Sequence, residues 1–282
     1  MAVRITVPAD FALLVRLTDP LEAFRMMTGN DPLPWQEQYL PEGRDCVVLK
    51  GRQIGASTSG ASKAVAVAAS VPGRLVAIVS PSQKQSTEVR ERAGGQVARL
   101  GLRVVRDSET VIELANKSRI ISLPGTAKSV RGWSADLLIL DEAAFLDPET
   151  FLAARATVAA TGGQVIVQST PAGPYGHFYD LFAEATPIGE SFIEDTATGL
   201  RRPDPAVRLV SFRVSSEDQP TISPEFLARE RATLSDEDYA QEYLGRFAAP
   251  GVGLVDPARL RAATGAPSIT ADDFWAKLGE RS

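Results

Sequence analysis

Residues Cys46–Thr58 read CVVLKGRQIGAST, and their pattern decides the fold. An apolar run, Cys46–Leu49, passes into a turn carrying Gly51 and Gly55, and an Ala/Val-rich stretch follows from Ser57 to Ser70. A strand entering a glycine-bearing turn and then a helix offers backbone N–H groups to phosphate oxygens. Further along, Leu137–Phe145 reads LLILDEAAF, an apolar run that ends in two adjacent acids, Asp141 and Glu142. One carboxylate for a divalent cation and one for an attacking water make the other half of a phosphate-hydrolysing site. Together the two stretches imply an ATPase.

The spacing of the loop departs from the usual G-x-x-x-x-G-K-[ST]. With Gly55 as the second glycine and Ser57 as the hydroxyl for Mg²⁺, the lysine position falls on Ala56 and the first glycine position on Lys50. The lysine therefore stands at the opposite end of the turn, from which a long stem can still reach the β/γ-phosphate oxygens. Arg52 adds a second cation with a planar fork suited to phosphate. The expected ATP-binding stretch is Lys50, Gly51, Arg52, Gln53, Ile54, Gly55, Ala56, Ser57 and Thr58. The competing reading makes Lys50 and Arg52 solvated loop charges after an ordinary buried strand. The acidic pair Asp141–Glu142 favours the functional one.

Composition narrows the class. The chain has 282 residues, 44% hydrophobic and 23% charged, the proportions of an ordinary globular protein. Its net charge of −5, from 30 basic and 35 acidic residues, provides no global basic field, so any DNA contact must come from a local patch or several subunits. A single cysteine, Cys46, excludes a disulfide framework and fits a reducing cytosol as a small buried hydrophobe. One histidine, His177, and one cysteine cannot build a His/Cys zinc site. No apolar run approaches the roughly 20 residues of a membrane helix, and no signal-peptide core stands at the N-terminus.

Along the chain, Asp10–Thr28 has a helical pattern broken at Asp19–Pro20, and Asp31–Tyr39 leads into a short helix. Ser57–Ser70 is a helix packed on both sides, with Lys63 almost its only charge. Leu75–Ser80 is a continuous apolar run of the kind found in buried parallel strands. Ser82–Leu100 is a polar amphipathic helix; Val111–Leu114 and Arg119–Leu123 form a hairpin-like pair about Asn116–Lys117. Leu137–Leu140 and Gln164–Val167 are further apolar strands around a helix at Glu149–Ala160. Tyr175–Glu184 is expected helical, Arg208–Val214 a strand, and Pro224–Phe247 two helices. This alternation predicts an α/β fold with a mostly parallel central sheet flanked by helices. The expected organisation is an N-terminal helical segment over 1–30, a P-loop ATPase domain over 31–249 and a linker or tail over 250–282.

Other residues stand where a nucleotide motor would use them. Trp35–Gln36 precedes the first strand; a Gln amide can pair with an adenine edge while an aromatic packs on the base. The alternative is a surface Gln beside a core Trp. Gln168–Ser169–Thr170–Pro171 ends the strand after the acidic pair, and polar groups at a strand's C-terminal edge face a γ-phosphate across the sheet. Arg131, in a Gly/Ser loop before Asp141, can reach a phosphate in its own or a neighbouring subunit; its alternative is a solvated loop arginine. Glu142, directly after Asp141, separates the pair from a P-loop GTPase, where a Gln orients the water; the expected fold is a P-loop NTPase of the RecA-like, ASCE type.

Taken in order, WQEQYL, KGRQIGAST, SVRGWSADLLILDEAAF and QSTPAG resemble the ATPase domain of the large terminase subunit, the DNA-packaging motor of tailed bacteriophages. The resemblance spans roughly Asp31–Phe247. It implies that Trp35–Gln36 form the adenine-binding motif, that Ser57 and Asp141 hold Mg²⁺, that Glu142 activates the water, and that Gln168, Ser169 and Thr170 couple hydrolysis to movement. Some members carry the phosphate-loop lysine early, as Lys50 with Ala56 does here. Arg131 resembles the family's trans-acting arginine finger, and Arg52 an arginine inside the loop; the choice between them stays open. ATP and Mg²⁺ are the implied cofactors. Double-stranded DNA, a portal protein, a small terminase subunit and a pentameric ring are the implied partners. The implied location is the cytoplasm of the bacterial host, not the virion.

Members of this family usually carry a nuclease domain after the ATPase. Gln241–Leu260 resembles the exit towards it, yet the sequence ends at Ser282, short of a domain of ~150 residues, and Asp272–Asp273 alone make no two-metal site. No nuclease activity is expected from these residues. Two other classes compete: a helicase-type DNA-dependent ATPase, which would normally bring a second motor domain, and a degenerate, catalytically weak remnant acting as a scaffold.

Overall fold

The computed structural model describes residue 13, residues 15–194 and residues 200–247. Its centre is a nine-stranded sheet. In chain order the strands are β1 (Asp45–Lys50), β2 (Leu75–Ser80), β3 (Val104–Ser108), β4 (Val111–Leu114), β5 (Arg119–Pro124), β6 (Leu137–Asp141), β7 (Gln164–Ser169), β8 (Thr186–Pro187) and β11 (Leu209–Val214), with β9 (Phe192–Glu194) and β10 (Arg201–Pro203) paired separately. Across the sheet the order is β3-β4-β5-β2-β6-β7-β1-β11-β8. All neighbours run parallel except β3–β4 and β4–β5. This is the α/β fold with a mostly parallel sheet expected from the sequence.

The apolar runs become parallel strands because both faces of the sheet are covered. Cys46 and Val48 of β1, Ile139 of β6 and Ile166 of β7 enter one core, while Val47, Leu49, Leu138, Leu140, Val165 and Val167 enter the other. The first core is roofed by helices α1 (Pro20–Thr28), α3 (Ala56–Ser70) and α4 (Gln83–Arg99), following the short α2 (Pro34–Tyr39). The second takes Phe151 and Ala154 from α6 (Pro148–Arg155) and Phe178 and Leu181 from α7 (His177–Glu184), with the one-turn α5 at Ala127–Val130. The chain ends its described course with α8 (Pro224–Thr233) and α9 (Asp236–Glu242).

Local chemistry explains the helix starts. Asp19 caps α1 through Leu21 N and Glu22 N, Ser82 and Gln85 form a capping box on α4, and Asp147 caps α6 through Thr150 N. Two expectations shift: the helix foreseen over Glu149–Ala160 ends at Arg155 in a 3₁₀ turn, and β7 runs on to Ser169, drawing Gln168 into the sheet. The start of the expected first helix, Asp10–Phe11, and the tail Ala248–Ser282 lie outside the described residues.

The connection leaving β1 crosses to one face and the one leaving β7 to the other, although the strands are neighbours. Such a divergence opens a crevice at the carboxyl ends of parallel strands. Lys50 closes β1, Asp141 closes β6 and Gln168–Ser169 close β7, so the candidate residues meet there.

Candidate active site

The loop after β1 is held from outside by the end of the described chain. Gly51 N–H donates to Val214 O (2.8 Å), and a Cβ at this position would stand 2.3 Å from Tyr243 O and 2.5 Å from Ser216 Oγ. Only glycine fits that approach. Arg52 N–H donates to Glu242 O (2.8 Å), its guanidinium pairs with the Glu242 carboxylate, and Ser216 Oγ donates to Arg52 O (2.6 Å). Gln53 adopts a left-handed φ of 58°, and Gln219 Nε2 donates to its carbonyl (3.3 Å). Ile54 and Ala56 turn their side chains into the core. Gly55, at φ 82°, starts α3 in a conformation that a side chain rarely adopts.

Two carboxylates face this loop. Lys50 Nζ donates to Glu142 Oε1 at 2.6 Å. Glu142 sits at φ 51°, and left-handed backbone at a non-glycine residue costs about 1–3 kcal/mol, a strain characteristic of functional sites. Its Oε2 accepts from Ser169 Oγ and from Thr170 N–H, each at 3.4 Å. Asp141 is buried; Gln168 Nε2 donates to its Oδ1 (2.8 Å) and Ser57 Oγ to its Oδ2 (3.4 Å). Burial pushes the Asp141 carboxyl up from the ordinary carboxylate range, Lys50 pulls against that shift, and Glu142 adds to it. Among the described residues no group of three or more His, Cys, Asp or Glu could hold a metal ion. Ser57 and Asp141 would be the protein's share of a site completed by phosphate oxygens and water, which fits Mg²⁺.

A cleft of about 550 Å³ opens between Lys50, the loop through Thr58, Glu142 and Thr170. Its remaining wall is Glu88 and Arg92 of α4, which the sequence reading passed over. Nothing in the local pattern of a polar helix says which side of it meets a distant loop. Two larger depressions, about 660 and 630 Å³, lie around the amino ends of β1, β7 and β11 and contain none of the candidate residues.

Three candidates do not line this cleft. Gln36 is buried: its Oε1 accepts Leu33 N–H (2.8 Å) and its Nε2 donates to Ser59 Oγ (2.8 Å), so the amide braces α3 beside Gly55. Trp35 packs against the core and Tyr39 (ring centroids 5.4 Å apart), its buried Nε1 without a partner among the described residues. Arg131 lies outside the cleft, exposed and paired with Glu149 Oε1 at 2.7 Å. Within one chain it does not meet Lys50 or Glu142.

A family model described as "Terminase large subunit, T4likevirus-type, N-terminal" matches residues 47–260. Among solved structures, the large terminase ATPase domain of Thermus phage P74-26 is similar at 22% identity and a TM-score of 0.67, covering 81% of this chain and 98% of that one. The HK97 bacteriophage large terminase is similar at 16% identity and 0.61, covering 83% of this chain and 55% of that one. A large terminase from a thermophilic bacteriophage, solved in complex with ADP, is similar at 15% identity and 0.57, covering 80% of this chain and 52% of that one. The chain thus spans about half the length of the HK97 protein and of the ADP-bound one. At these identities the likeness establishes the fold alone. No curated protein matches.

Proposed function

As this chain belongs to the terminase large-subunit family, we propose that it hydrolyses ATP in the cleft at the carboxyl edge of β1, β6 and β7 and uses the energy to move double-stranded DNA. The observation that carries the reading is the contact of Lys50 Nζ with Glu142 Oε1 at 2.6 Å, with Asp141 and Ser57 alongside. A lysine from the start of the loop reaches the site that a lysine at position 56 usually serves. Support for the nucleotide comes from relatives: the large terminase of that thermophilic bacteriophage has been solved in complex with ADP and with ATP-gamma-S.

In this reading the N–H groups of the loop and the N-terminus of α3 receive the phosphates, and Lys50 exchanges Glu142 for the γ-phosphate. Release from Lys50 frees the Glu142 carboxylate, already oriented by Ser169 and Thr170, to align the attacking water. Ser57 Oγ and the Asp141 carboxylate would hold Mg²⁺, which would supply positive charge against the phosphoryl group being transferred. Gln168, locked to Asp141, and Ser169–Thr170, next to Glu142, pass loss of the γ-phosphate along β7 towards α7. Arg52 serves in its own cleft, while Arg131, turned outward, serves a neighbouring subunit of a ring. A small terminase subunit and a portal are the partners, and the host cytoplasm is the location. Among the described residues no helix is long and apolar enough to cross a membrane.

The test is steady-state Mg²⁺-dependent ATP hydrolysis by the wild type, Lys50→Ala and Glu142→Ala, with and without linear duplex DNA. Turnover lost in both variants is expected. Wild-type turnover no higher than the variants', at any protein concentration and with DNA present, overturns the reading.

A further inference from the structure

Arginines 90, 92 and 99 lie on the same helix, α4, and differ in what they touch. Arg90 is buried, pairs with Asp107 and donates to Val111 O (3.2 Å); Arg99 donates to Thr28 O (3.1 Å). Both tie α4 to its neighbours. Arg92 makes no hydrogen bond or ion pair among the described residues, and it lines the phosphate cleft. The other two cations there are engaged, Lys50 by Glu142 and Arg52 by Glu242.

The position of Arg92 is fixed by a neighbour one turn away. Buried Gln96 donates from Nε2 to Thr58 O at 3.2 Å, which anchors α4 against the first turn of α3. Residues four apart share a helix face, so Glu88, Arg92 and Gln96 form one stripe over the loop. An arginine held there, with its fork uncommitted, is suited to bidentate contact with phosphate. The competing explanation is a solvated helix arginine that happens to border a cleft.

Resting on the ATPase reading, we propose that Arg92 is a third phosphate-binding cation of this cleft, supplied in cis by the helix after β2, with Glu88 as the opposing charge that limits its pull. The site then gathers cations from three parts of the chain: the end of β1, the loop, and α4. Arg92 contacts the nucleotide directly, and it needs no neighbouring subunit.

The experiment measures equilibrium binding of a fluorescent ATP analogue, without turnover, to wild type, Arg92→Ala, Arg92→Lys, Glu88→Gln and Lys50→Ala, with thermal melting of each. Losing a hydrogen-bonded charge predicts roughly tenfold or greater weakening in Arg92→Ala, partial recovery in Arg92→Lys and tighter binding in Glu88→Gln, at unchanged melting temperature. Wild-type and Arg92→Ala affinities equal within about twofold, with Lys50→Ala weakened, overturn this inference alone. The same holds if Arg92→Ala loses duplex DNA binding while keeping nucleotide affinity, or if Arg92→Ala melts early and Arg92→Lys and Glu88→Gln leave affinity unchanged. A wild type that binds no nucleotide overturns the ATPase reading together with the inference.

Discussion

Strand β1 carries a charge at each end, and the two ends treat charge in opposite ways. At its start, Asp45 accepts Val165 N–H at 2.7 Å, and nearby Lys63 donates to the carbonyls of Tyr39 (3.0 Å), Leu40 (3.4 Å) and Glu42 (2.5 Å). Arg44 is fixed by Glu42 (2.6 Å) and by Ser191 O (3.0 Å). Most of these charges end on backbone groups, which cannot leave. At its finish, Lys50 meets Glu142, Ser57 meets Asp141, Arg52 meets Glu242 and Arg92 meets nothing described. Those contacts join side chain to side chain, so a ligand can replace either partner. Exchangeable charge, not cavity size, separates the candidate active edge from the structural one, since the larger depressions lie at the structural edge.

The difference can be broken by mutation at either end. The largest effect is expected at the active edge: Glu142→Gln should cost about 10²–10⁴ in turnover, and Lys50→Ala a comparable amount, in steady-state ATP hydrolysis with little change in melting temperature. Adding Ala56→Lys to Lys50→Ala should not restore turnover, because the side chain at 56 points into the core; recovery would mean the core opens at that position. At the structural edge the pattern should reverse. Lys63→Met strands three carbonyls and is expected to cost about 3 kcal/mol in urea unfolding while leaving turnover per folded molecule intact. A fall in turnover without loss of stability would erase the distinction.

Gly51→Ala tests the border between the edges. The added methyl meets the Tyr243 carbonyl and should cost about 2 kcal/mol of stability, with weaker nucleotide binding as the loop shifts. The effect of Asp45→Asn is seen only against pH. Burial raises the Asp45 carboxyl from 3.8 to about 6, with Val165 N–H and Arg155 pulling the other way. Between about pH 4 and 6 the folded state therefore holds a proton that the unfolded chain has released, and the Asp45 contribution to stability falls as pH rises through that window. Its slope is at most ~1.4 kcal/mol per pH unit, and Asp45→Asn should flatten it in chemical denaturation across pH.

Much of the fold is legible because the signals are local. Apolar runs without alternation become parallel strands covered on both faces, and Asp19, Ser82 and Asp147 mark helix starts by their own side chains. The hairpin at Val111–Leu114 and Arg119–Pro124 agrees with its sequence pattern, with Lys117 at φ 70° in its turn. The edge strand β3 escapes such a reading because most of it is exposed and its pattern therefore resembles a loop. The hydrogen bond of Gln36 to Ser59 is not legible, because nothing in WQEQYL says that Ser59 lies beside it.

From the sequence alone come the α/β class, the resemblance to large terminases, the early lysine and the paired acids. These depend on residue type and on spacing along one stretch of chain. The tertiary structure decided which charges meet: Lys50 with Glu142, Arg52 with Glu242, Arg131 with Glu149, and Arg92 with the open cleft. It also decided why Gly51 is glycine, since the atom it avoids belongs to Tyr243. Contacts between residues far apart in the chain follow from strand order and from the register of one helix against another, and neither is written in any local pattern.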